Sequence, residues 1–391
     1  MRVTTNLIFN NLLNSLTNNR DKYQNIQKII SSEQKLFVPS DDPIGIRNSA
    51  IYRKDYSAYE QYGKNLDQAK DLLTATDSSF DQINLLLTKA RGIAEVNASE
   101  SSTTQSRSMA VDQIDEIIKQ SVQEMNREVN GRYIFSGFKT STPPYSNVGK
   151  VSKPYANVSN QWDGTLEVNG DYQGTENKNY LVKVVTPGTY GFAEYKISED
   201  GGTTWSNNRT LTNTIHLYDE DNGEDSGLTM VFNGSGSFAV DDQFKVYVGA
   251  GKYSGDDGSI KINVGKNTTL ATNISGQEAF ENNDYYGILN QLKIGLDNDN
   301  TSEISDALGK LNDLQENIQK SIGKEGILLQ QTSVIKNNLD SVNNDVLKRI
   351  QDIEKPDLVK AMSEFSLQQN ALNSSINMMS KVFPTSLLNY I

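Results

Sequence analysis

The chain has one histidine, His216. A Ser-His-Asp triad or a zinc site would be built around it. No companion set surrounds it in the sequence, so His216 reads as a residue on a strand face. The segment SEDGGTTW (198–205) has the spacing S-x-D-x-G-x-T-W. Physically this is a turn. Ser198 and Asp200 can accept backbone amides, Gly201 and Gly202 permit the bend, and Trp205 can pack beneath. DEDNGEDSG (219–227) and DNDNTSE (297–303) carry carboxylates near the spacing of calcium loops. In the first, Gly223 comes one place early for an EF-hand, and the second lacks the glycine. Loop solvation and helix capping account for both. VGKNTT (264–269) contains Gly-Lys but not the upstream glycine of a P-loop. There is no cysteine, which excludes disulfides, thiolate metal sites and cysteine nucleophiles. These residues therefore predict no catalytic site, no metal and no cofactor.

Bulk composition narrows the classes further. The chain has 391 residues, enough for two or three domains, and 36% hydrophobic content, lean for a globular enzyme. Net charge is −12 with no basic block, so nothing here would neutralise phosphates and no nucleic-acid partner is expected. No stretch of ~18 apolar residues is present, so no membrane span is expected. MRVTTNLIFNNLLNSL is broken by asparagines and followed by no A-x-A site. A protein leaving the cell with this N-terminus would be expected to keep it. The 198–205 spacing resembles the Asp-box of sialidase propellers. It occurs once here, whereas propellers repeat it, so a structural turn is favoured over glycan binding.

Periodicity divides the chain into three zones. In the first, about 1–140, Phe9, Leu12, Leu16, Tyr23, Ile26 and Ile30 recur at spacings of three and four, with Asn19 in the polar slot and Phe37 one heptad on. That is an a/d seam, the stripe of a helix that packs along one narrow line. A longer seam runs from Tyr59 to Ala94, and a third helix is expected to end near Asn130-Gly131. The second zone, about 141–275, has short alternating stretches such as YLVKVVTPG and FKVYVGAG between turn signals, which predicts antiparallel strands. In the third, Ile304 to Ile353 share one seam, and a helix over about 303–354 would be ~75–80 Å long. Glu325 is one of its few polar positions. After Pro356 a new seam begins: Leu358, Met362, Phe365, Leu372, Ile376, Met379 and Phe383, with Gln369 in the polar slot.

The two ends match. Each carries a thin seam, a proline-bearing break and then a long seam. The breaks are Pro39-Ser40-Asp41-Asp42-Pro43 and Pro356. Pro39 disfavours helix at Val38, Ser40 or Asp41 could cap the next helix, and Pro43 suits its first turn. The expected fold is mainly α with a β insertion. N- and C-terminal regions form a long antiparallel coiled coil or bundle, with a central antiparallel β domain at its tip. Expected divisions are a terminal helical module (1–40 with 355–391), a helical rod (41–140 with 276–354) and a β-rich domain (141–275). A two-helix terminal module with about seven apolar positions per helix offsets little of the ~1–2 kcal/mol per residue of ordering entropy. It is expected to order against copies of itself or a partner.

The residues also resemble a known family. MRVTTNL, the spaced Leu/Ile run and VPSDDPIGIRNSA are similar to the N-terminal signature of flagellins. NREVNGRYIFSGFKTSTPPY (126–145), ISGQEAF (274–280) and the C-terminal EKPDLVKAMSEFSLQQNALNSSINMMSKVFPTSLLNYI resemble the branch of that family that joins hook to filament. The resemblance implies a structural, non-enzymatic part of the bacterial flagellum that self-assembles through its terminal helices. It implies export through the flagellar type III channel and residence at the hook–filament junction. Implied partners are like subunits, a hook-side hook-associated protein, flagellin, and an export chaperone on about 350–391. A filament flagellin is the alternative within the family, and a secreted glycan-binding protein using the β domain is the alternative outside it.

Overall fold

A computed structural model describes the backbone of residues 2–157, 159–218 and 225–387, with side chains from Leu7 to Lys381 of these. The helices are α1 (Arg2–Ser32), α2 (Pro43–Asn97), α3 (Thr104–Met125), α4 (Gly276–Ala279), α5 (Tyr285–Asp297), α6 (Thr301–Glu354) and α7 (Leu358–Leu387). All strands described lie between Glu128 and Ala271. The fold is thus mainly helical with long terminal helices and a central antiparallel β region. The chain divides into two compact units, Met1–Lys64 with Lys336–Ile391, and Asn65–Ile335.

In the first unit α1 and α7 run antiparallel. Tyr23 meets Phe365 and the earlier Asn19 meets the later Ser375. Helix α1 ends sooner than its seam implies. Glu33 takes a left-handed conformation (φ 52°), which terminates the helix without glycine, seven residues before Pro39. Phe37 lies outside the helix, half-buried beneath the Lys28 ammonium at 3.8 Å.

The second unit holds two hydrophobic cores. One gathers α2 from Phe80 to Ala94, the inner face of α3, most of α5 and α6 from Ile304 to Ile318. Helices α2 and α6 are antiparallel there, with the Arg91 guanidinium donating to Gln315 at 2.9 Å and the Gln315 amide donating to Thr88 at 3.0 Å. Helix α5, YYGILNQLKIGLD, is buried on nearly every side. An all-round apolar helix has no 3/4 stripe, which is why seam counting passes over it. The other core lies between two antiparallel sheets. One sheet centres on Lys178–Thr186, flanked by Gln243–Gly249 and Glu194–Ser198. The other has Thr229–Asn233 between Thr165–Asn169 and Thr214–His216. Val182, Ile197 and Phe244 from the first sheet and Met230 and Phe232 from the second point inward. Trp162 stacks on Phe238 at 5.5 Å within this core.

Asn130-Gly131 is not a helix cap. Both residues have positive φ and turn a two-residue hairpin pairing Val129 with Arg132, while α3 ends at Met125 with Asn126 as its cap. The two stretches 126–145 and 274–280 meet in one aromatic cluster. Phe135 lies 5.1 Å from Phe280, and Tyr145 lies 6.3 Å from it, with Phe80 completing the group. Gly276 is required at that meeting. A Cβ there would stand 2.8 Å from the Tyr145 hydroxyl and 3.0 Å from the Phe135 carbonyl, whose oxygen accepts the Gly276 amide.

Candidate assembly interface

The terminal seam can be followed side chain by side chain. On α1, Phe9, Leu12, Leu16, Asn19, Tyr23, Ile26 and Ile30 are half-buried, and the residues between them are mostly exposed. On α7, Phe365, Leu372 and Met379 are half-buried, and Phe365 stacks on Tyr23 at 4.9 Å. The polar slot Asn19 donates to Ser375 at 2.8 Å. The rest of the α7 stripe differs from the spacing argument. Ala361, Gln368 and Ser375 face inward, whereas Leu358, Met362 and Ile376 are 40%, 58% and 49% exposed. The side chain of Phe383 lies outside the described residues. Apolar spacing alone could not separate these groups, because α7 carries apolar residues on more than one face. Val359, Leu367 and Met378 are also exposed, as are Leu7, Ile8 and Leu13 on α1.

The joint between α1 and α2 is a set of carboxylate turns. Asp41 reaches back, accepting the amides of Phe37 at 2.8 Å and Val38 at 3.0 Å. Those amides hold its carboxyl below the usual range. The cap of α2 is Asp42, rather than Ser40 or Asp41. Its Oδ1 accepts Ile44 N at 3.1 Å and Gly45 N at 2.9 Å. Pro43 is the first helical residue, where no amide donor is needed. Gly45 gives the carboxylate its room, since a Cβ there would lie 2.3 Å from the Asp42 Oδ2. Pro39 and Ser40 sit exposed in the loop before this cap. After Pro356, Asp357 repeats the device for α7, accepting Val359 N at 3.0 Å and Lys360 N at 3.1 Å.

A clasp unforeseen in the sequence ties the two breaks together. Glu354 accepts Arg53 Nε at 2.7 Å and the Ser49 hydroxyl, and its carbonyl accepts Lys35 N at 2.9 Å. The Lys35 ammonium donates to the Asp352 carbonyl at 2.9 Å. Hydrogen bonding from Arg53 outweighs burial and keeps the Glu354 carboxyl below its ordinary value. These residues are some three hundred positions apart in the chain, and no local spacing couples them.

The other candidate residues are engaged locally. His216 is exposed on its strand with its ring edge-on to Tyr218. Ser198 accepts Gly202 N at 2.7 Å, and Asp200 accepts Thr203 N and Thr204 N, each at 2.9 Å. Lys196 lies over the Trp205 ring at 4.3 Å. The carboxylate of Asp200 is spent inside its own turn, and the Thr204 bonds hold its pKa far down. Asp297 receives Lys245 at 3.0 Å and the Tyr247 hydroxyl at 2.8 Å, and Asn300 caps α6. VGKNTT turns the hairpin between Lys261–Gly265 and Thr268–Ala271. Residues 219–224 of the first acidic loop lie outside the described residues. Among the described residues no helix is long and apolar enough to cross a membrane.

A chain whose opposite ends return as an antiparallel helix pair, with a β sandwich inserted between the helical segments, defines a class of helical subunit with a central insert. Residues 3–140 match the family described as the bacterial flagellin N-terminal helical region. The chain resembles that family over about a third of its length. It is similar to flagellar hook-associated protein 3 of Escherichia coli (strain K12), at 23% identity over 147 residues, 37% of this chain and 46% of that protein. The protein of that name from Salmonella typhimurium is 22% identical over 146 residues, with the same coverage of 37% and 46%. The chain therefore matches about half the length of these relatives. A solved structure described as a flagellar hook-associated protein from Vibrio parahaemolyticus shares the fold. It has a TM-score of 0.50 and 16% identity, over 81% of this chain and 100% of that one.

Proposed function

We propose that this chain is a non-enzymatic structural subunit of the bacterial flagellum that joins hook to filament. The observation that carries the reading is the α1–α7 pair. Its seam is only half-buried, and it leaves Leu358, Met362 and Ile376 of α7 facing outward. Such a pair gains from neighbours that cover those side chains, because burying each large apolar side chain is worth roughly 1.5–3 kcal/mol. Self-association through 1–40 with 355–391 follows. The segments 41–140 with 276–354 serve as the helical body, and 141–275 is the surface domain. The names of the curated relatives, flagellar hook-associated protein 3, support a place at the hook; export through the flagellar channel is part of the same proposal. Partners in this reading are like subunits, a hook-side hook-associated protein, flagellin, and an export chaperone on about 350–391.

Antibody labelling of isolated flagella tests the reading. Label confined to the hook–filament boundary supports it. Label along the whole filament moves the assignment to a filament flagellin, and flagella without label sink both. The internal use of Asp200 weighs against a glycan-binding role. Specific, saturable binding of the full chain on a glycan array would restore that role.

A further inference from the structure

Glu325 of α6 is fully buried, and neither carboxylate oxygen has a hydrogen-bond partner. Its surroundings explain why this is unusual. Below it on the seam, Leu66, Ala69 and Leu73 are buried, and above it Phe80, Leu314 and Ile318 are buried. Between these apolar stretches the interior is polar. Thr76 and Ser79 of α2 and Thr332 of α6 are buried there, and Gly323 and Gly326 leave open space on the outer side of α6. Two charged groups act on Glu325: Asp77 from α2, which repels it, and Lys324 from its own helix. Lys324 is itself committed to Glu278 of α4 at 2.5 Å. Arg127, which follows α3 and donates to the Ser79 hydroxyl of α2 at 3.3 Å, pairs with Glu124 at 3.5 Å.

We propose that Glu325 is a proton-operated latch in the α2–α6 seam: protonated, it stays buried and the seam is closed; ionised, it opens the seam locally over about 321–332. An ionised carboxylate buried with no hydrogen-bond partner costs several kcal/mol, so it either holds a proton or reaches water. Burial, with Asp77 adding, pushes the Glu325 carboxyl from 4.5 up to about 8. The sign follows from linkage. In the open seam the group ionises in the ordinary range, and in the closed seam it keeps its proton until about pH 8. Opening therefore releases a proton between those values and becomes easier as pH rises.

Amide exchange of the full chain is the test, with intrinsic rates corrected. The opening constant of segment 321–332 is expected to rise about tenfold per pH unit between about pH 5 and about pH 7, relative to 304–318. Glu325→Gln should abolish that slope. Glu325→Met, an apolar replacement of similar length, serves if the glutamine does not pack. The carbon-13 carboxyl resonance lost in either variant should titrate in the wild type well above the ordinary glutamate range. Parallel pH profiles for wild type and variants, or a Glu325 resonance titrating near the ordinary value, would overturn the latch.

Discussion

The ring of Tyr23 on α1 stacks on the ring of Phe365 on α7, with centroids 4.9 Å apart and planes inclined by 30°. Residues 342 positions apart in the chain thereby fix the register of its two ends. An aromatic pair of this kind contributes ~0.5–1.5 kcal/mol beyond its buried area. It is a large share of a seam that is otherwise only half-buried. Phe365→Asp or Ile26→Asp should block self-assembly, seen by sedimentation, while the melting of unit 65–335 stays unchanged. A large fall in that melting temperature would reject this division of labour. At low concentration, limited proteolysis should nick 1–35 and 357–391 first.

The Asp42 cap and Gly45 form a second testable pair. Gly45→Ala places a methyl where the Asp42 carboxylate now sits. Alanine normally favours a helix over glycine by up to ~1 kcal/mol. Here the lost cap should cost about 1 kcal/mol and cancel or reverse that gain. In Asp42→Ala the carboxylate is gone, so adding Gly45→Ala should then stabilise α2. Urea unfolding of the four proteins gives the double-mutant cycle. Additive effects would mean that Gly45 is not there for the cap.

Much of this was legible in the sequence because it is periodic. The 3/4 seams of α1, α2 and α6 place Phe9 to Ile30 and Ile304 to Ile318 on the sides the structure buries. Strand alternation found Lys178–Thr186 and Gln243–Gly249. The losses have physical causes. Helix α5 is buried all round and has no stripe. On α7 the small and polar residues Ala361, Gln368 and Ser375 turn inward, which a rule counting apolar residues cannot see. The Asn-Gly hairpin was hidden by its nearness to the end of a helix. The Glu354 clasp joins Lys35, Ser49 and Arg53 across three hundred residues, and no window reaches that far.

The same clasp predicts a pH response. Glu354 holds its carboxyl below the ordinary 4.5 because Arg53 donates to it. A depressed carboxylate stabilises the fold above its ordinary pKa and loses that contribution as pH falls through the lowered value. Arg53→Met should therefore weaken protection of residues 43–57 at neutral pH and flatten its decline on acidification. The Arg53 side chain is 59% exposed, so the neutral-pH effect should be modest, ~0.5–1 kcal/mol. Amide exchange at neutral and acid pH reads both. An unchanged acid slope in Arg53→Met would assign the decline to other carboxylates.

A sharper effect is expected from Arg107, which is buried in α3 with its side chain 5% exposed. Its Nε donates to the Asn97 carbonyl at 3.1 Å, Nη2 to the Ser99 carbonyl at 2.9 Å, and Nη1 to the Asp299 carboxylate. One side chain thus ties the α2–α3 connection to the α5–α6 connection. Arg107→Met would remove the guanidinium from all three acceptors, leaving Ser102 N on the Ser99 carbonyl and the Thr104 hydroxyl on the Asp299 carboxylate. Removing one partner of a buried charged network costs ~3–5 kcal/mol, and the exposure of Asp299 places this case at about 3. Asp299→Asn should be far milder, about 1 kcal/mol. Asparagine tolerates the left-handed conformation at that position (φ 56°) and keeps an acceptor for the guanidinium. Urea unfolding followed by far-ultraviolet circular dichroism measures both variants. Equal losses would mean that the ion pair, and not the carbonyl bonds, is what Arg107 contributes.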